Sequence, residues 1–189
     1  MKINIPEVTS KSALRKLYYQ LLQNNSKNNI QNWSKIICKN FEQSHYFKQN
    51  HMFALYNALP YEMATKELIE LLWSHAKQVC LPRMNGDELE FYLINNWDEI
   101  TIDNNFNIAQ PLATCFKVKP INIDCMIIPM IAFDVNYYRI GHGKGYYDSF
   151  LTKKNIKCQK IGMAFAMQKI PFAIEHDSWD IPLDFIFTN

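Results

Sequence analysis

The longest apolar run in this chain, Cys125 to Phe133, is nine residues long and has Pro129 inside it. A membrane-spanning helix needs about 20 apolar residues, so the run is too short to cross a bilayer and reads as buried sheet. Cys125 to Ile128 suits a strand, and residues 131–134 extend the run past the proline. Further strands are read at Met52 to Tyr56, Gln78 to Leu81, Glu88 to Leu93 (near a sheet edge), Ile161 to Ala166 and Phe185 to Phe187; Pro82 is expected to stop the second of these. Helical spacing falls between them. Residues 10–23 carry Leu14, Leu17, Leu21 and Leu22 on one face behind Ser10 as a cap, and residues 30–43 carry Ile30, Trp33, Ile36, Ile37 and Phe41. Thr65 opens a helix with Leu68, Ile69, Leu71 and Leu72, running to about Ala76, and Gly145 to Lys154 can form another. Asn24 to Asn29 is a polar break, and residues 94–123 lack periodicity and read as irregular. Strands alternating with helices predict an α/β fold: a three-layer sandwich with a mixed, largely parallel sheet covered by helices. At 189 residues, a single domain spanning 1–189 is expected.

Composition narrows the function. A formal net charge of +2 is too weak for the basic patch or stripe of a nucleic-acid binder, and it suits a small anionic substrate. The opening residues, MKINIPEVTSKS, hold no apolar segment of the secretory kind. Cysteines at 38, 80, 115, 125 and 158 form no CxxC pair, which argues against a disulfide framework and a zinc site. Buried thiols in a reducing cytoplasm are the expected reading. The histidines form no ligand-spaced set.

Only five glycines occur, and three of them fall within residues 141–145. A glycine-poor chain that concentrates them needs backbone freedom there. The segment Arg139-Ile-Gly-His-Gly-Lys-Gly-Tyr-Tyr-Asp148 follows an apolar strand and leads into a helix, where backbone amides can cradle phosphate oxygens. Lys144 adds a full charge, Arg139 can pair with an anion through two N–H groups, and Asp148 can hold Mg²⁺ between phosphates. The pattern is neither a GxGxxG fingerprint nor a GxxxxGK[ST] loop. A tight turn with a surface lysine is the plain alternative, and the flanking Arg139, Lys144 and Asp148 favour phosphate over it.

With its flanks, this segment resembles the signature of the 5-formyltetrahydrofolate cyclo-ligase (methenyltetrahydrofolate synthetase) family. Pro129-Met-Ile-Ala-Phe133-Asp134 precedes the ten-residue stretch and Leu151 follows it. Lys11-Ser-Ala-Leu-Arg15, the stretch Tyr56 to Thr65 with Pro60 and Glu62, the stretch Gly162 to Gln168, and Asp177-Ser-Trp-Asp180-Ile-Pro-Leu-Asp184 agree in order and spacing, so the resemblance covers nearly the whole chain. Three positions depart from it: Tyr138 stands where the family often has glycine, Ser149 where it often has arginine, and Gln110-Pro111 where a Glu-Pro pair is common.

The resemblance implies an ATP- and Mg²⁺-dependent enzyme that converts 5-formyltetrahydrofolate to 5,10-methenyltetrahydrofolate, giving ADP and phosphate. It implies Lys11, Arg15, Arg139, Gly141, His142, Gly143, Lys144, Gly145, Tyr146 and Tyr147 around ATP, with Arg139 or Lys144 stabilising the phosphoryl group in flight. His142, at a variable position of the signature, is expected to face solvent or nucleotide. Asp148 and Asp180 resemble the magnesium ligands, with Asp184 structural. Glu62 matches the folate-contacting glutamate, able to accept from the amino and ring N–H groups of a pterin. Tyr146 either contacts folate or packs, Phe106 is a candidate to stack on the pterin, and Gln168 is a further substrate candidate. By analogy the protein is expected to be a cytoplasmic monomer acting on small molecules, the folate polyglutamylated or not, with no nucleic-acid or membrane partner. Two other readings stay open: a non-catalytic folate- or nucleotide-binding protein of the same fold, and a sugar-phosphate isomerase or sensor, which would explain the glycine loop but not Glu62 or Asp180.

Overall fold

The computed structural model of the chain describes residues 10–103, 108–153 and 156–189. Serines start the first three helices. The Ser10 side chain accepts from the Ala13 N–H ahead of α1 (Lys11–Gln23), Ser26 from Asn29 ahead of α2 (Lys27–Gln43), and Ser44 from Phe47 ahead of α3 (His45–Gln49). Ser26 lies inside the polar break, so α2 begins at Lys27 rather than Ile30. On α1 the buried stripe is Leu14, Tyr18 and Leu22. On α2 it is Ile30, Ser34, Ile37, Cys38 and Phe41, whereas Ile36 is exposed. Ser34 is buried because its Oγ accepts from the Ala64 N–H at 2.9 Å, tying α2 to a loop of the site.

The strands are, in chain order, β1 (Met52–Ala54), β2 (Gln78–Asn85), β3 (Glu88–Ile94), β4 (Ile100–Asp103), β5 (Ile108–Pro111), β6 (Lys117–Val118), β7 (Cys125–Ile128), β8 (Ala132–Phe133), β9 (Arg139–Ile140), β10 (Gln159–Met163) and β11 (Phe185–Phe187). Helix α4 (Lys66–Ser74) lies between β1 and β2, and α5 (Tyr146–Leu151) between β9 and β10. Seven strands form the main sheet in the order β11-β10-β7-β1-β2-β3-β6. The pairs from β11 through β2 are parallel, and β2–β3 and β3–β6 are antiparallel. This is the mixed, largely parallel sheet expected from the sequence.

Side chains of successive residues point to opposite faces of a sheet, and two apolar clusters follow. Phe53, Val79, Leu81, Cys125 and Ile127 pack with Leu14, Ile37, Phe47 and Leu68 of α1–α4. Ala54, Cys80, Met126 and Ile128 pack with Phe150 and Leu151 of α5. Helices therefore cover both faces.

Two expectations need correction. Pro82 does not stop β2, which runs on to Asn85. Strand β1 ends at Ala54, opposite Cys80, so past that point β2 pairs with β3 alone and a residue without an N–H is tolerated. Residues 94–123 are not irregular throughout: β4 and β5 form a separate antiparallel hairpin, and β6 adds an edge strand beside β3. All five cysteines are unpaired thiols. No helix among the described residues is long and apolar enough to cross a membrane.

Because β1, β7 and β10 are mutually parallel, the loops after them leave from one edge of the sheet. These are residues 55–65, 129–145 and 164–184. Ligands of open α/β sheets bind at such an edge.

Candidate active site

The loop after β7 is built on a buried acid. Pro129 ends the strand, and Asp134, fully buried, turns the chain back from β8 to β9. Its Oδ1 accepts from the Asn136 and Tyr138 N–H groups at 2.9 and 2.8 Å, and its Oδ2 accepts from Ile174 at 3.0 Å. Tyr138, at the position where the family often has glycine, stacks on His176 at 3.9 Å between ring centres.

This turn delivers Arg139, whose side chain is only 5% exposed. Its guanidinium donates to Asp148 Oδ1 at 2.8 Å and to the Ile181 carbonyl at 2.9 Å. Arg139 thus joins the start of α5 to the loop that holds Asp180. The glycines follow. Gly143 and Gly145 have φ of +92° and +70°, a region L side chains rarely adopt. Arg15 of α1 supports this loop from beneath, its Nε donating to the Gly141 carbonyl at 2.8 Å. Lys144 is exposed, and among the described residues it has no ion-pair or hydrogen-bond partner.

The opposite wall is the segment between β1 and α4. Thr65 donates to the Tyr56 carbonyl at 2.8 Å, and the Glu62 N–H donates to the Leu59 carbonyl at 2.9 Å. The Glu62 side chain returns the contact: its Oε2 accepts from the Leu59 N–H at 2.8 Å. Its Oε1 lies 2.8 Å from Nε2 of His142. Glu62 is 5% exposed. Burial first, and the Glu62 charge second, raise the phenol pKa values of Tyr56, Tyr61 and Tyr147, so all three stay protonated beside it.

The third side is set by Lys11. Its ammonium bonds Asp180 and, at 3.2 Å, Asp177. Burial works against its charge, but the two aspartates outweigh that and raise its pKa; Asp180 is lowered in turn, Lys11 and the Asp177 N–H overcoming the cost of burial.

These walls enclose a cleft of about 770 Å³. Lys11, Arg15, Glu62, Arg139, the whole run from Gly141 to Asp148, and Asp180 line it, so nearly every residue singled out from the sequence meets there. One described residue does not stand with them. Gln168 is buried away from the cleft: its amide donates to the Met130 and Ile131 carbonyls, and its oxygen accepts from the Phe165 N–H at 2.6 Å. All its groups are spent on backbone, so it is a structural residue and not a substrate contact. Phe106 lies outside the described residues. The cleft also takes in Asn57, Met84 and Trp179, which the sequence reading passed over. Trp179 is 61% exposed, and its place beside Asp180 was the available signal.

The donor set fits a hard divalent cation. Asp148 uses Oδ1 toward Arg139 and Ile181, and Asp180 uses Oδ2 toward Lys11 and Asp177. Among the described residues no other oxygen of either carboxylate has a partner. Mg²⁺ takes one or two such carboxylates together with phosphate oxygens and water.

A cleft at the carboxyl ends of parallel strands, cationic and glycine-rich on one wall and carrying a buried carboxylate on the other, is the layout of an α/β protein that binds small ligands. The chain belongs to the 5-formyltetrahydrofolate cyclo-ligase family, which it matches over residues 7–189. A probable 5-formyltetrahydrofolate cyclo-ligase of Schizosaccharomyces pombe is 29% identical over 94% of both chains. The 5-formyltetrahydrofolate cyclo-ligase of Haemophilus influenzae is 33% identical over 72% of this chain and 74% of its own. Among solved structures, the NMR structure of Aquifex aeolicus 5,10-methenyltetrahydrofolate synthetase superposes with a TM-score of 0.83 at 31% identity, covering 94% of this chain and 89% of the other. The Mycoplasma pneumoniae synthetase gives 0.75 at 27% identity, covering 95% and 98%.

Proposed function

We propose that this protein is a 5-formyltetrahydrofolate cyclo-ligase, using ATP to close 5-formyltetrahydrofolate to 5,10-methenyltetrahydrofolate. The observation that carries the reading is that Glu62, a buried carboxylate suited to a pterin, faces the same cleft as the glycine loop and its cations. An amide-like formyl oxygen is a poor leaving group and phosphate is a good one. The formyl oxygen takes the γ-phosphoryl group as ADP departs. Nitrogen 10 of the folate then attacks the activated carbon, loses its proton, and the carbon–oxygen bond breaks to release phosphate. The protein's part in phosphoryl transfer is positioning and neutralisation of charge.

In this reading Lys11, Arg15, Gly141, Gly143, Lys144, Gly145, Tyr146 and Tyr147 surround ATP. Arg139, two of whose five N–H donors hold Asp148 and Ile181, shapes the cradle and lines it. Lys144, which is exposed, is the cation that follows the phosphoryl group. Asp148 and Asp180 would hold Mg²⁺, which when bound neutralises phosphate charge. Glu62 holds the pterin, with Tyr146 beside it. The chain acts as one domain and as a cytoplasmic monomer on small molecules, the folate polyglutamylated or not. Its weak net charge and unpaired thiols support that placement.

The test is a spectrophotometric assay with 5-formyltetrahydrofolate, Mg²⁺ and ATP, following the near-ultraviolet band of the methenyl product. Growth of the band only when both ATP and Mg²⁺ are present is expected. Nucleotide binding without that band would leave a binding protein of the same fold.

A further inference from the structure

The variable residue of the glycine loop lines the cleft with its neighbours but reaches the opposite wall. His142 turns its ring across the cleft to Glu62, Nε2 to Oε1 at 2.8 Å. A carboxylate only accepts, so Nε2 carries the hydrogen. The loop on either side of His142 is held by one side chain. Arg15 Nε donates to the Gly141 carbonyl, and a β carbon placed on Gly143 would lie 3.3 Å from Arg15 Cζ, so the guanidinium packs against both neighbours of the histidine. The receiving end is equally fixed. Leu59 and Glu62 bond each other through two contacts, and Ser34 anchors Ala64.

We propose that His142 is a positioning residue for the folate half of the cleft, holding the Glu62 carboxylate in the plane that a pterin needs, and that it is not a nucleotide contact. This rests on the reading of Glu62 as the folate-binding carboxylate. An ionised carboxylate has about four lone-pair sites. The Leu59 N–H and His142 take one on each oxygen, which fixes the rotation of the group. The remaining sites are left for the amino and ring N–H groups of the pterin. Without His142 a carboxylate only 5% exposed would keep, among the described residues, the Leu59 N–H as its one donor and could rotate about it.

The experiment measures two affinities by calorimetry on wild type, His142→Ala and His142→Gln: 5-formyltetrahydrofolate without nucleotide, and a non-hydrolysable ATP analogue without folate. A lost hydrogen bond to a charged group should weaken folate binding about tenfold in His142→Ala and leave the analogue within about twofold. His142→Gln keeps an N–H donor at similar reach and should recover most of the folate affinity. Tighter folate binding in His142→Ala would mean the imidazole competes with the pterin, and overturns the proposal. So would weaker analogue binding with folate unchanged, equal loss of both ligands, or a glutamine variant that behaves like alanine. Product formation by wild type is scored separately. Folate binding without turnover would sink the ligase reading while the affinities still judge His142, and a wild type that binds no folate would sink both.

Discussion

Replacing Gly143 by alanine tests the loop geometry directly. At φ of +92° an L residue is strained, at a cost of about 1–3 kcal/mol. The new β carbon would also meet Arg15, with Cζ at 3.3 Å and Nε and Nη1 at 3.5 Å. The guanidinium must give way by a few tenths of an ångström, and its 2.8 Å bond to the Gly141 carbonyl is what it gives up. A hydrogen bond of that kind is worth about 1 kcal/mol net, so the sum is about 2–4 kcal/mol. In a chain of this size each kcal/mol lowers Tm by roughly 2–4 °C, so a drop of about 4–16 °C is expected. Two neighbours serve as controls. A β carbon on Gly141 meets nothing within 4 Å and its φ is not positive, so Gly141→Ala should stay within about 0.5 kcal/mol of wild type. Gly145→Ala has open space but a φ of +70°, so it should cost strain alone, about 1–2 kcal/mol. Thermal denaturation followed by circular dichroism should rank the variants 141, 145, 143 from most to least stable. Titration with an ATP analogue should show weakened binding at 143, where Arg15 is displaced. Equal loss at 141 and 143, or none at 143, would refute the reasoning.

Lys144→Ala should lower turnover far more than folate affinity, read from kcat against a separate folate titration, because its charge is needed on the phosphoryl group in flight; unchanged kcat would remove it from that role. Gln168→Ala should unfold earlier by about 2–3 kcal/mol, since the Phe165 N–H and the Met130 and Ile131 carbonyls lose their partner, yet bind folate as wild type does at a temperature where it is folded. Glu90 reports on pH. Hydrogen bonds from Lys117 first, and from Asn85 and Tyr92, outweigh burial and hold its carboxyl at about 2, against an ordinary 4.5. A folded-state pKa below the unfolded one contributes stability that is present above 4.5 and is lost as pH falls from there toward 2. The stability gap between wild type and Glu90→Gln should therefore be full near neutrality and close across that window, as read by denaturant unfolding at several pH values.

What could be read from the sequence was what local chemistry decides. Ser10 sits where capping needs it, and the apolar run at Cys125 marks a strand flanked on both sides; Ser26, inside what reads as a polar break, caps a helix that begins earlier than the apolar spacing indicates. The glycine cluster located the cleft because positive φ at 143 and 145 is a backbone requirement that composition betrays. What escaped was decided by distant partners. The hairpin of β4 and β5 has short strands, and residues elsewhere hold it: Asn57 donates to the Ala109 carbonyl, and Arg83 to that of Pro111. Pro82 stays within β2 because β1 happens to end at Ala54, which no pattern around residue 82 records. Gln168 is a substrate candidate through the resemblance alone, and the Met130 and Ile131 carbonyls that take its amide lie 38 and 37 residues away, beyond any local pattern. His142 was read by its neighbours in the chain, whereas its partner is 80 residues away.

The arginines show how the cleft is assembled. There are 3 of them against 17 lysines, and each donates to a backbone carbonyl far away in the sequence: Arg15 to Gly141, Arg83 to Pro111 and Arg139 to Ile181. A guanidinium carries five donors in a rigid plane, so it can hold a carbonyl and still present N–H groups elsewhere, as Arg139 does toward Asp148. An ammonium is a point charge on a flexible stem and is strongly hydrated. It suits the opposite task, moving with a charge that is itself moving. The division follows exposure. The Arg139 side chain is 5% exposed and fixed, Lys144 is exposed with no partner among the described residues, and Lys11 stands between them, 27% exposed and held by two aspartates. Asp180, one of those two, is also a proposed magnesium ligand. Lys11 and the Asp177 N–H both use its Oδ2, so its other oxygen is the one left for a cation while the ammonium stays where it is. Arg15 and Arg139 set the shape of the loop before any ligand arrives, and Lys144 is the charge left to respond to it.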